Sequence, residues 1–213
     1  MKTDELIDLL SRRAEPVDNR IAVRQFAQWL PLAALGSLLM MRTIYGLRPD
    51  LPSAAQTGLF WAKLALPACI AIGALIITTR LSRPGAKVGA GWLYIVVPLA
   101  LVWLGGGFIV GTAAPQDRSL LILGISWRSC PFNILLLSVP GVVATFLAVM
   151  SLAPTNLRLA GASAGLLASS IATIAYCFHC PEMSPAFWSI WYVLGMGLVA
   201  AIGAALGPRL LRW

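Results

Sequence analysis

Cys130 and Cys180 frame the chemistry this chain could perform. Each is followed by proline, as Cys130-Pro131 and Cys180-Pro181, and each falls at the end of a long apolar run. Cys180 lies in Cys177-Phe178-His179-Cys180-Pro181-Glu182, which holds two of the four cysteines and the single histidine. Thiols in such a setting can exchange electrons, bind a soft metal as thiolates, or close as a structural disulfide. In the metal reading Cys130 and Cys180 are the donors, and His179 and Glu182 complete a site for Cu(I), Zn or another thiophilic ion such as cadmium. Cys177 and Cys180 share a helix face at i,i+3 and form a C-x-x-C pair. Redox motifs of that kind sit at a helix N-terminus, where the dipole favours thiolate. This one sits at a C-terminus, where the dipole opposes it, so oxidoreductase turnover is disfavoured. A plain Cys130–Cys180 disulfide stays open as a staple worth roughly 4 kcal/mol on the chain-entropy model.

The elements that position these residues follow from composition. Hydrophobic residues make up 59% of the 213 and charged residues 11%, which excludes an ordinary soluble domain. Six apolar stretches are long enough to span a bilayer: 26–46, 59–79, 92–111, 132–152, 159–178 and 187–206. Backbone groups in hydrocarbon must be satisfied internally, so the expected fold is an all-α membrane protein of six transmembrane helices. Cys69 falls in the middle of the second span and reads as a packing residue. Pro67, Pro98 and Pro140 fall mid-span and predict kinks. Gly107-x-x-x-Gly111, Gly161-x-x-x-Gly165 and Gly203-x-x-x-Gly207 predict close helix packing, with a homodimer as the weaker alternative.

Charge sets the orientation. Lys2, Arg12, Arg13, Arg20, Arg24, Arg80, Arg83, Lys87, Arg158, Arg209 and Arg212 fall on one side. Arg48, Arg118 and Arg128 fall on the other, with Arg42 and Lys63 near enough to span ends to snorkel. Basic residues concentrate in the cytoplasm, so both termini are expected inside and both Cys130 and Cys180 outside. The net charge of +8 then reflects topology and a lipid surface, with no direct nucleic-acid contact. No span carries a mid-depth acid and no internal repeat is visible, which argues against a transporter.

Residues 1–25 are polar and lack the pattern of a cleavable signal. Thr3 can cap a short cytoplasmic helix with Asp4 and Glu5 in its first turn. Leu6, Ile7, Leu9 and Leu10 follow, and Leu6, Leu9 and Leu10 form one apolar stripe. So short a helix is marginal alone, and its stripe calls for a partner, either the membrane surface or, as the sharper reading, a groove on another protein. Two units are therefore expected: a binding segment at 1–25 and a membrane domain at 26–213.

The start Met1-Lys2-Thr3-Asp4-Glu5-Leu6-Ile7, the Arg48-Pro49-Asp50-Leu51 turn and Gly124-x-x-Trp127-x-x-Cys130 carry a family resemblance. So do His179-Cys180-Pro181-Glu182, Trp191-Tyr192 and the closing Gly207-Pro208-Arg209-Leu210-Leu211-Arg212-Trp213. Together they resemble the NrsF-type negative regulators of extracytoplasmic-function sigma factors, integral membrane anti-sigma factors of proteobacteria. The resemblance covers essentially the whole chain. It implies a multi-pass protein of the bacterial inner membrane, not an enzyme, whose N-terminal segment sequesters a sigma factor; Leu6, Ile7, Leu9 and Leu10 of that segment are then the expected contacts. It also implies a response to heavy metal at the paired cysteines, which match Cys130 and Cys180. No cofactor is required, and a thiophilic metal ion would act as a regulator. The rival is a membrane thiol oxidoreductase or metal transporter using the same cysteines.

Overall fold

The computed structural model describes residues 21–83 and 88–212. The expected sigma contacts Leu6, Ile7, Leu9 and Leu10 lie outside the described residues. Among the described residues every regular element is helical. Helix α1 covers Ile21–Met40 and runs on as a π-turn, Met41–Tyr45. Then come α2 (Leu51–Ala54), α3 (Gly58–Leu81), α4 (Leu93–Thr112, entered through a 3-10 turn at Gly89–Trp92) and α5 (Pro115–Leu123). Next are α6 (Cys130–Leu137), α7 (Val139–Met150) and α8 (Leu157–Cys177). A short α9 (Pro185–Phe187) passes through a second π-turn, Trp188–Tyr192, into α10 (Val193–Leu210).

Local chemistry marks several of these boundaries. The Thr57 side chain accepts from the Phe60 N–H (3.3 Å) and opens α3, and Asn156 accepts from the Leu159 N–H (3.1 Å) and opens α8. Pro67 and Pro98 sit within continuous helices. Pro140 marks a real bend: α6 and α7 are set 44° apart across Ser138, two residues before it. A proline lacks the N–H that would bond four residues back and its ring presses on that carbonyl. Ser37 of α1 donates to the Leu137 carbonyl at the break (2.9 Å), and Ser138 donates back to Ile134 O (2.6 Å).

Helix α8 is the hub. It packs against α1, α3, α6, α7 and α10, and 72% of its apolar window is buried. Its sequence is mostly Ala, Gly, Ser and Thr, which lets neighbouring backbones approach. The α8–α10 contact is the most extensive in the fold. Here a Cβ on Gly203 would run into the Gly161 carbonyl oxygen, one on Gly207 into the Leu157 oxygen, and one on Gly165 would lie 2.6 Å from Val199 O. Helix α4 lies at the periphery, with 6% of its window buried, and turns Leu101, Trp103, Leu104 and Phe108 outward. It docks through Gly106 on Ala186 and through Trp103, whose indole N–H donates to Ser189 O (2.8 Å).

Four continuous helical segments among the described residues are long and apolar enough to cross a membrane, and the bent α6–α7 pair makes a fifth candidate. The expected six spans are thus met in part. The first stretch, 26–46, corresponds to α1, which is not among the candidates. Arg24, Gln25 and Gln28 in its opening turns dilute the apolar run.

The glycine contact predicts an asymmetric response to added bulk. Gly203→Leu should lower thermal stability by about 1–3 kcal/mol through overpacking. Gly107→Leu should be neutral, because nothing lies within 4 Å of a Cβ there. Thermal unfolding of the two purified variants in detergent compares them; equal effects would refute the packing assignment.

Candidate thiol site

Three cysteines meet where α6 begins and α8 ends. Cys130 opens α6, its N–H bonded to Ser126 O (2.9 Å) and Pro131 placed in the first turn, where a missing N–H costs nothing. Cys177 closes α8, and the chain stays helical for one more turn, so Cys180 N–H bonds to Tyr176 O (2.9 Å). All three are free thiols and all are 0% exposed. The expected outward-facing pair is therefore roofed over. Phe187, Trp188 and Tyr192 from the α9–α10 junction pack with Tyr176 and the cysteines in one buried cluster, and Trp127 and Trp191 lie against it. Cys69 lies apart, half-buried in a groove between α3 and α4.

Two phenols face the thiols. The Tyr176 hydroxyl accepts from the Asn133 side-chain amide (3.4 Å) and stands beside Cys130. The Tyr192 hydroxyl is buried near Cys177 and Cys180 without a well-formed hydrogen bond. An unmet buried hydroxyl is costly. It leaves a polar atom pointed into the thiol cluster.

Lys63 holds this region together. It lies in the second turn of α3 and is 0% exposed. Its ammonium donates to Cys180 O (2.6 Å) and Glu182 O (2.9 Å) and stands 5.8 Å from the centre of the Tyr192 ring. A buried ammonium must replace its lost water with such dipoles. Arg48 adds a second cation on the same carbonyl, with Nη1 3.3 Å from Cys180 O and 3.4 Å from Met183 Sδ. The rest of its guanidinium forks onto Asp50 (2.7 and 2.6 Å), which holds the Asp50 carboxyl below its usual range and raises Arg48. Arg48 N–H also bonds to Phe178 O (3.1 Å), so the loop at 46–50 and helix α3 both pin the segment carrying Cys180.

The other two expected metal donors are engaged elsewhere. His179 Nδ1 is 3.0 Å from Gly46 O, and its ring packs on Tyr45 and Tyr176. The Glu182 carboxylate accepts from the N–H groups of Ile125 (2.6 Å) and Ser126 (3.2 Å) and from the Ser126 hydroxyl (3.3 Å). It thereby caps the turn at Gly124, where φ is +57° and a Cβ would lie 2.5 Å from that carboxyl. Among the described residues no three His, Cys, Asp or Glu side chains converge tightly enough to hold a metal ion. Cys130 and Cys180 share one cluster; His179 and Glu182 fasten that cluster to its surrounding turns.

A family model described as NrsF, negative regulator of sigma F, matches residues 10–213. The chain belongs to the NrsF family. It is 40% identical over 213 residues to a probable anti-sigma-F factor NrsF of Azospira oryzae, covering all of both chains. It is 33% identical over 214 residues to the anti-sigma-F factor NrsF of Caulobacter vibrioides, again over both full lengths. No solved structure matches.

In this member of the NrsF family Lys63 and Arg48 do more at the thiol site than their positions in the sequence suggest. Lys63 looked like a snorkelling residue near a span end, yet its side chain turns inward. The available signal was an ionisable residue within an apolar run, which marks a functional position by default. Replacing Lys63 by Met should release the Cys180 segment from α3 while leaving the core apolar. Alkylation of Cys180 by a small maleimide in the native protein should accelerate several-fold, with Cys69 unchanged. An unaltered Cys180 rate at full occupancy of the folded state would show that the tether lies elsewhere.

Proposed function

We propose that this chain is a multi-pass inner-membrane anti-sigma factor for an extracytoplasmic-function sigma factor, with six spans and both termini in the cytoplasm. The full-length match to the negative regulators of sigma F carries this reading. Residues 1–25 hold the sigma factor, through Leu6, Ile7, Leu9 and Leu10, and 26–213 form the sensing bundle. The sensing event occurs at Cys130 and Cys180 on the periplasmic side. A thiophilic divalent ion bonds both sulfurs, and the two thiol protons pass to water. A two-electron oxidant would instead take two electrons and two protons from the pair and leave a disulfide. Either event draws the Cys180 segment toward α6 and against its tethers on Lys63 and Arg48.

The buried position of the free thiols supports a stoichiometric sensor, since one ion or one oxidation suffices to change the packing of the hub helix. The coupling requires two bundle packings that differ in affinity for the stimulus and for the sigma factor. His179 and Glu182 can join the sulfurs only after giving up Gly46 and the turn at 125–126. Their present bonds thus oppose the rearranged state and set the dose at which it forms.

Cys130→Ser and Cys180→Ser should each give an abundant protein that keeps the sigma factor silent and ignores cadmium. A sigma-dependent reporter read beside immunoblots tests this. High basal reporter activity with loss of protein would instead assign the cysteines to stability.

The tail makes a separate prediction. Changing Leu6 and Leu10 together to Asp removes about 1.5–3 kcal/mol of apolar burial per side chain from the complex. The reporter should then run without stimulus at normal membrane abundance. Continued repression by this variant would place the sigma contact on another surface.

A further inference from the structure

We propose that the ends of α8 and α10 opposite the thiols form a binding site for an anionic phospholipid, held by its phosphate between Arg158 and Arg209. The site rests on the membrane reading above. Where the glycines bring α8 and α10 together, Ala201, Ala204, Ala205 and Pro208 line a slot of about 500 Å³, with Arg158 and Arg209 also in its wall. The slot is within the range of small-molecule pockets, and its alanines leave room that larger side chains would fill.

Charge identifies the occupant. The three acids among the described residues, Asp50, Asp117 and Glu182, all lie toward the thiol end. The opposite end carries Arg24, Arg80, Arg83, Arg158, Arg209 and Arg212 with no described acid. At the thiol end Arg48 pairs with Asp50, and among the described residues neither Arg158 nor Arg209 makes a hydrogen bond or ion pair. Both are exposed, at the edge of a slot floored by methyl groups. A phosphodiester offers paired oxygens that match guanidinium geometry. Its acyl chain supplies the apolar body that lies on the alanines. Basic pockets between transmembrane helices on the cytoplasmic side take anionic headgroups in this way. A zwitterionic lipid brings its own ammonium against the two arginines and is disfavoured.

Full-length protein titrated with palmitoyl-oleoyl phosphatidylglycerol or phosphatidylcholine and read by native mass spectrometry tests the site. The wild type should retain one phosphatidylglycerol in preference to phosphatidylcholine. Arg158→Gln with Arg209→Gln should weaken that binding roughly tenfold to thirtyfold, from the contribution of two basic residues at an anionic surface. Ala204→Leu should weaken it with both arginines in place, and Arg24→Gln on α1 should leave it intact. Equal retention of the two lipids by the wild type would overturn the proposal, as would a double variant that keeps its preference. An equal loss in Arg24→Gln would reduce it to diffuse surface charge. A chain that fails to enter bilayer nanodiscs at all would remove the membrane reading, and this site with it.

Discussion

The fold depends on a contact made without side chains. Gly161 and Gly165 of α8 meet Gly203, Gly207 and the Val199 carbonyl of α10, so the two backbones touch at one end of the molecule. At the other end the same helices carry Tyr176 and Cys177 on one side and lead back to Trp188 and Tyr192 on the other. The pair thus packs backbone to backbone at its glycine end and through aromatic rings at the other, where Tyr176 and Tyr192 stand 5.9 Å apart. The thiols occupy the aromatic end, where large side chains leave small polar groups among them. Close packing at the glycine end fixes how far apart the helices can stand at the thiol end.

The aromatic end is also where the charges go. Lys63 and Arg48 come from different elements and converge on the carbonyl of Cys180. At that carbonyl each replaces water around a backbone dipole, and Arg48 is held there by its fork onto Asp50. Glu182, the nearest acid in sequence, spends its carboxylate on the turn at 125–126 and gives only its carbonyl to Lys63 and to the Trp188 indole N–H (3.2 Å). The segment 178–183 is thus held by α3, by the loop at 46–50, by the Gly124 turn and by the π-turn before α10. A change felt at Cys180 reaches four elements at once.

Much of the architecture was legible in the residues. The apolar runs gave helices at nearly the right places; of the three mid-span prolines read as kinks, Pro140 stands at a broken helix, while Pro67 and Pro98 lie inside continuous ones. The three Gly-x-x-x-Gly patterns were alike in sequence, yet two pair with each other inside the bundle while Gly107 and Gly111 face open space. Spacing alone cannot tell them apart, because the partner helix is chosen by tertiary packing. The positions of Cys130 and Cys180 at helix ends were readable; their burial was not, since the roof comes from the distant segment 187–192. His179 and Glu182 were readable as donors beside Cys180; their present partners, Gly46 O and the Ile125 and Ser126 N–H groups, were not, because a sequence does not display which backbone groups come near. Lys63 was misplaced for a related reason: a lysine near a helix end is as long turned inward as outward, and only the carbonyls awaiting it decide.

The two π-turns, Met41–Tyr45 and Trp188–Tyr192, both border the thiol cluster. A π-turn holds an extra residue in a helix whose normal repeat is about 3.6 residues. That residue cannot be absorbed in place; it can only travel, exchanging hydrogen-bond partners one at a time. Each step of such travel re-indexes one side chain by about 100° about the helix axis. Tyr192, whose phenol faces the sulfurs and whose ring centre lies 5.8 Å from the Lys63 ammonium, is the last residue of its π-turn. The rings that roof the cysteines thus stand on a part of the helix whose register is one residue out of step, while the far end is locked on glycine.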